Sequence, residues 1–292
     1  MLLRSLLCIF IFTGSLFAQQ DPAWTAPQTP YRIIGNMYYV GSKDLASFLI
    51  TTPQGLILIN STLSQNVPLI RKNIEALGFH FSDIKILLIS HAHFDHAGGS
   101  AEIKRLTGAK YMVMDADVPV VESGGRDDFA LGSSPQYRFP ETKVDRVLHD
   151  GDTVRLGDVV LAAHLTPGHT KGCTTWTMKM DDGGHIYDVV IVGGPNVLSE
   201  YRLVKKPSYP GIAQDFELTF RTLKSLPCDV FLGAHASSYG MEEKLARRKE
   251  GMPNPFIDPQ GYKDYVAERE QAFLAELAKQ SAPEPASGQT AK

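Results

Sequence analysis

The chain is poor in cysteine and tryptophan, with 3 and 2 among 292 residues. So few thiols exclude a disulfide framework and a Cys-rich structural metal site. The formal net charge is −3, and no basic block or stripe stands out. That excludes the electrostatic footprint of a nucleic-acid binder. The N-terminal apolar run, Ser5 to Phe12, is far shorter than the roughly 20 residues that cross a bilayer. It follows Met1-Leu2-Leu3-Arg4 and leads to a small residue before a polar start, as in a secretory signal peptide. Cys8 lacks the small neighbours of a lipid attachment site. Cleavage after Ala18 is expected. Residues 1–18 are then the signal, 19–280 one domain and 281–292 a polar, disordered tail. The mature chain is expected in the periplasm as a monomer with no membrane segment. It keeps Cys173 and Cys228, read as two free, buried thiols.

What is present suffices for a large core, since 43% of the residues are hydrophobic. Residues 21–30 are Pro-rich and read as extended. Strands are expected at Tyr38-Tyr39-Val40, Ala46–Thr52, Leu56–Ile59, Ile84–Ile89 and Lys110–Met114. Amphipathic spacing predicts a helix from Val67 to Leu77, with Gly78 as its stop, and another from Ala101 to Leu106. A β-rich middle follows: Arg146–Leu148, Thr153–Leu156, Val159–His164, Thr174–Met178 and Val189–Val192. Helix returns over Ala213–Leu223, then a buried strand, Val230–His235, then a helix from Tyr262 to Leu277. There is no internal linker or repeat. The pattern predicts helices outside and sheets inside.

The chemistry concentrates in Ser90-His91-Ala92-His93-Phe94-Asp95-His96, directly after a buried strand. Three imidazoles and a carboxylate are good ligands for a borderline divalent metal, and core packing calls for no such density. In extended backbone, alternate side chains point the same way, so His91 and His93 reach one metal. The chain then turns and brings Asp95 and His96 toward a second. His169, in a Gly/Pro-lined turn, and His235, closing a buried strand, sit at strand ends where such sites are built. The inventory is His91/His93/His169 and Asp95/His96/His235, two zinc sites with open positions for water, the mark of a catalytic metal. His80, His149, His164 and His185 lack this context and read as structural or surface residues. Ser82-x-x-Lys85 matches a serine-hydrolase motif, but it opens a strand and lacks its partner motifs.

The pattern His-x-His-x-Asp-His, then Gly168-His169-Thr170, then a late strand-end His235, resembles the metallo-β-lactamase superfamily from about Trp24 to the last helix. The resemblance implies an α/β fold, an αββα sandwich with a dinuclear zinc site at one edge. Relatives that cleave thioesters, lactones or phosphodiesters carry a bridging Asp where this chain has Gly193-Gly194, and another lactamase subclass has Cys nearby. The His/His/His plus Asp/His/His set is similar to subclass B3. This implies hydrolysis of small β-lactam antibiotics by a metal-bound hydroxide, with Asp95 orienting it. Such an enzyme would confer antibiotic resistance; the alternative is a secreted lactonase or thioesterase of the same fold. The Ser that usually helps hold the substrate carboxylate is missing near Gly194, leaving Asn196, Gly194, Ser237 or backbone N–H groups. Phe129 and Tyr137 are expected as apolar contacts, on loops at Gly124–Pro140 and Gly194–Leu198 that wall the pocket. Relatives also often join a Cys near 228 to one near 262; Tyr262 stands there instead. Asn60 replaces a common Asp, which alters the hydrogen bonding behind the ligands.

Overall fold

In the computed structural model, which describes residues 21–250 and 252–282, two sheets pack face to face between outer helices. The first sheet runs in chain order: β1 (Tyr31–Ile34), β2 (Met37–Tyr39), β3 (Phe48–Thr52), β4 (Gly55–Ile59), β5 (Ile84–Leu88), β6 (Lys110–Met114) and β7 (Arg146–Leu148). The second contains β8 (Thr153–Leu156), β9 (Val159–Leu165), β10 (Thr174–Asp182), β11 (His185–Val192) and β12 (Val230–Gly233), ordered β12-β11-β10-β9-β8. Helices α1 (Val67–Ala76), α2 (Phe94–Ala97), α3 (Ser100–Thr107) and α4 (Val118–Glu122) accompany the first sheet. Helices α5 (Ile212–Ser225), α6 (Met241–Lys249) and α7 (Pro259–Ser281) follow β11 in the chain. This is the expected αββα sandwich.

Side-chain alternation along each central strand decides the layering. On β4, Ile57 and Ile59 enter the core between the sheets with Trp176 and Ile191. Leu56 and Leu58 face the other way, onto Ile70 and Ile74 of α1 and Ile103 of α3. A strand buried on both faces therefore reads as a continuous apolar run. The strands β4, β5, β6 and β7 pair in parallel, as do β11 and β12. Parallel pairing brings their carboxyl ends to common edges. Thr174 N–H donates to Ser90 O at 2.7 Å and Trp176 Nε1–H to Ile89 O at 3.0 Å, which ties the end of β5 to the start of β10.

Several boundaries differ from the sequence reading. Pro22–Trp24 is a 3-10 turn capped by Asp21, not extended chain. The β1 strand was not expected, because its four residues carry no clear alternation. The β10–β11 hairpin runs on through Lys179 and Asp188 to a Gly183-Gly184 turn, both glycines at positive φ. Exposed charged residues disguise those strand ends. Helix α6 is almost wholly polar, so no apolar period announces it; its acids lie in the first turn and its bases in the last, as the helix dipole favours. The expected signal segment, 1–18, lies outside the described residues, as does the chain beyond Ala282. No helix among the described residues is long and apolar enough to cross a membrane.

Both described thiols are free, Cys173 buried as expected and Cys228 only half-buried. Tyr262, buried on α7, donates its hydroxyl to Leu223 O at 2.7 Å and so ties α7 to the last turn of α5. Tyr262→Phe is expected to cost about 1 kcal/mol, the worth of one such bond, read as a lowered urea midpoint at unchanged slope.

Candidate metal centre

Each ligand-type side chain comes from a strand end or the turn just beyond it. The chain leaves β5, bends through His91 and His93, and starts the single turn of α2 with His93 as its N-cap. That turn swings Asp95 and His96 back toward the same space, as anticipated. His169 lies between β9 and β10, held by Gly168 at φ +122°; a Cβ there would meet the Phe216 ring at 2.8 Å. His235 follows β12 and opens a 3-10 turn, Ala236–Tyr239.

The structure brings all six residues together. The potential ligand atoms of His91, His93 and His169 lie within 4.8 Å of one another, as do those of His91, Asp95 and His96. His91 therefore stands between the two groups. His235 joins the second group: its Nε2 is 3.4 Å from Asp95 Oδ2, and its ring centroid is 5.0 Å from that of His96.

Hydrogen bonds behind the rings decide which nitrogen is free. His91 Nδ1–H points at Gly193 O (3.2 Å), His169 Nδ1–H at Asn196 O (2.8 Å), and His235 Nδ1–H at Asp44 Oδ2 (2.8 Å). Each leaves Nε2 facing the cavity, the usual way a neighbouring acceptor orients a ligating imidazole. His93 Nε2 is instead 3.4 Å from Asp128 Oδ2, which leaves Nδ1 for the cavity.

The electrostatics suit a cation. Burial pushes His91 and His96 below the ordinary imidazole range, helped at His91 by the neighbouring His96 and His169. Burial, then His93, brings His169 down to about 3. Neutral imidazoles with free lone pairs are what a metal needs. Burial opposes charge on His235 and His93 too, but Asp44 and Asp95 outweigh it at His235 and raise it to about 10, while Asp128 raises His93. Burial likewise disfavours an ionised Asp95, yet His96 and His235 hold it well below the usual carboxylate range. Both ring nitrogens of His96 are buried without a hydrogen-bond partner and sit among these groups. Orphaned buried nitrogens beside an ionised carboxylate fit a divalent metal.

Three acids that no motif announced position this constellation. Asp117 is buried and accepts from Ala92 N–H, Thr170 Oγ1–H and Gly172 N–H, each at 2.8 Å, so it clamps the His91–His93 turn to the His169 turn. Burial pushes its carboxyl up to about 6 against those bonds. Asp44 holds both His235 and the N–H of Ser237. Asp128 backs His93. Asn60, at φ 67°, accepts from Ser90 N–H (2.7 Å) and donates to Ser90 Oγ (2.8 Å), which fixes the residue just before His91.

Five of the six residues, all but the fully buried His96, edge a cavity of about 370 Å³. Trp24, Phe94, Leu131, Tyr137 and Leu198 supply apolar wall; Asn196 and Gly194 line it, as expected. A Cβ at Gly194 would lie 3.3 Å from His169 Cδ2, so glycine leaves the imidazole its space. Two expectations are corrected. Ser237 is exposed and faces a separate groove beside Asp44 and Lys43, while Ser238 lines the metal cavity. Phe129 packs on Tyr201 and Tyr209, with centroids at 5.1 and 4.7 Å, and belongs to the core rather than the cavity wall.

Comparison with known proteins agrees with this geometry. The family model described as the metallo-beta-lactamase superfamily matches residues 45–235. The native FEZ-1 metallo-beta-lactamase from Legionella gormanii is 53% identical, with 89% of this chain and 99% of that one covered and a TM-score of 0.87. BJP-1, a subclass B3 metallo-beta-lactamase of Bradyrhizobium japonicum, is 42% identical over 89% of this chain and 97% of its own, with a TM-score of 0.84. Among curated relatives, a hydroxyacylglutathione hydrolase of Maricaulis maris is 32% identical over 111 residues, 38% of this chain. The chain spans only 36% of that relative's length and 49% of the next one's.

Proposed function

Because the chain belongs to the metallo-beta-lactamase superfamily, and is a metal-dependent hydrolase of it, we propose that it hydrolyses the amide bond of β-lactam antibiotics with two zinc ions. His91, His93 and His169 hold one ion; Asp95, His96 and His235 hold the other. In the organism this activity confers resistance from the periplasm, where the N-terminal signal directs the chain.

The observation that carries the β-lactam reading is the extent of the likeness. The similarity to the FEZ-1 lactamase takes in 89% of this chain and 99% of that one. The likeness to the hydroxyacylglutathione hydrolase stops at 111 residues. That partial likeness is the ground for a second reading, a thioesterase. Against it, Gly193 and Gly194 follow β11, and neither offers a carboxylate.

Bound divalent metal supplies Lewis acidity and brings the pKa of water down to about 7. The chain's own residues do the rest. Asp95, kept ionised by His96 and His235, accepts a hydrogen bond from the attacking water and orients it. Asp44 and Asp128 fix the rings of His235 and His93 so that the site needs no rearrangement during reaction. The apolar wall of Trp24, Phe94 and Tyr137 excludes bulk water and packs the ring substituents. In the balanced reaction the carbonyl carbon gains the hydroxyl, the C–N bond breaks, and the nitrogen gains the proton.

Initial rates on a carbapenem, a cephalosporin, a lactone and a glutathione thioester test the reading, each with and without a chelator. β-Lactam turnover that disappears on metal removal and returns with zinc is the expected result. Thioester turnover without β-lactam turnover establishes the second reading instead.

A further inference from the structure

Behind the Pro195–Ser199 segment lies a second cavity of about 320 Å³, and it shares Asn196, Leu198 and Ser199 with the metal cavity. Its floor is helix α7. Tyr265 of that helix reaches the metal cavity, and Arg269, one turn further, lines the second one. The Arg269 guanidinium lies 5.9 Å from the Tyr265 ring centroid. Its Nη1 donates to Asn196 Oδ1 at 3.4 Å, Nη2 pairs with Glu268, and Nε is buried with no partner.

A guanidinium has donors only. It therefore settles which way round the Asn196 amide sits: Oδ1 faces Arg269, so Nδ2 keeps its two N–H donors on a residue that also lines the metal cavity. The Asn196 carbonyl already holds His169 Nδ1, so the backbone that carries this donor is fixed beside the metal ligands. The nearby acids do not cancel the arrangement. Glu276 is bound by Lys279 and Gln280 at 3.0 and 2.9 Å, Glu268 is 68% exposed, and Glu200 at the rim of the metal cavity is exposed and accepts from Ser199 Oγ at 3.1 Å, so water screens both.

We propose that Asn196 and Arg269 form the anion-recognising end of the substrate site. Asn196 Nδ2 donates directly to the carboxylate of the β-lactam. Arg269 is a positioning residue that orients that amide and adds positive charge behind it. The inference rests on the β-lactam reading above. It also accounts for a site with glycine where a serine hydroxyl is usual.

The test compares a cephalosporin with its carboxyl methyl ester on the zinc-loaded enzyme and three variants. Arg269→Gln is expected to lower the acid-over-ester ratio of kcat/KM about tenfold, through KM rather than kcat, as for loss of one charge-assisted contact. Arg269→Lys should recover part of the ratio, since it restores charge without the planar fork. Asn196→Asp keeps a partner for Arg269 but presents an anion, so its ratio should fall furthest. An unchanged ratio in Arg269→Gln, or an equal loss of kcat on acid and ester, overturns the inference while leaving the β-lactam reading intact. A wild-type enzyme that opens neither lactam refutes that reading, and the inference with it.

Discussion

His169→Ala is expected to lower kcat/KM on a β-lactam by about 10³-fold or more, the order expected when a catalytic metal site is lost. The ring supplies one of three nitrogens that face a common point, and alanine offers no donor in its place. Water can enter the vacated volume, so metal affinity falls without an obligatory collapse of the fold. The turn itself is held independently, by Thr170 on Asp117 and by the Tyr201 hydroxyl on the His169 carbonyl. The measurement is bound zinc per chain alongside initial rates. A variant with full zinc and full rate would remove His169 from the ligand set.

Asp95→Asn is the second large effect, about 10²-fold in kcat, as for loss of a group that positions the nucleophile. The substitution preserves shape and removes charge. Asp95 Oδ2 lies 3.2 Å from His96 Nε2 and 3.4 Å from His235 Nε2, so one carboxylate serves both imidazoles. Without it, the second group keeps two imidazoles and loses its carboxylate, since Asp44 is engaged on the far side of His235. Zinc titration should show one retained and one weakened site, whereas His169→Ala weakens the first. Combining the two should cost less than the product of the single losses, because the sites act as a unit.

Much of this was legible before any coordinates. Ile84–Ile89 reads as a buried strand, and β5 runs there from Ile84 to Leu88, buried but for Lys85. The His-rich run after it needed only the rule that α/β proteins place their sites beyond strand ends. The glycine at 168 and the strand-end position of His235 pointed to the remaining donors. Less legible was anything that turns on side-chain direction. Ser237 and Ser238 are chemically alike, and only the 3-10 turn at Ala236–Tyr239 sends one to the cavity and the other to a different groove. Phe129 looked like a loop aromatic facing substrate, yet two tyrosines take its ring inward.

What the sequence determined by itself is the chemistry of the donors and the layering of the strands. Both are local: imidazole and carboxylate are metal ligands in any context, and a period of two assigns each strand residue to a face. What only the tertiary structure decided is how those donors are aimed. Asp44 and His235 are 191 residues apart, and Asp117 bonds turns that follow two different sheets. No spacing rule encodes such pairs, because they exist only once both sheets have packed and buried those carboxylates beside their donors. The same holds for Arg269 and Asn196, which meet only because α7 lies under the segment leaving β11.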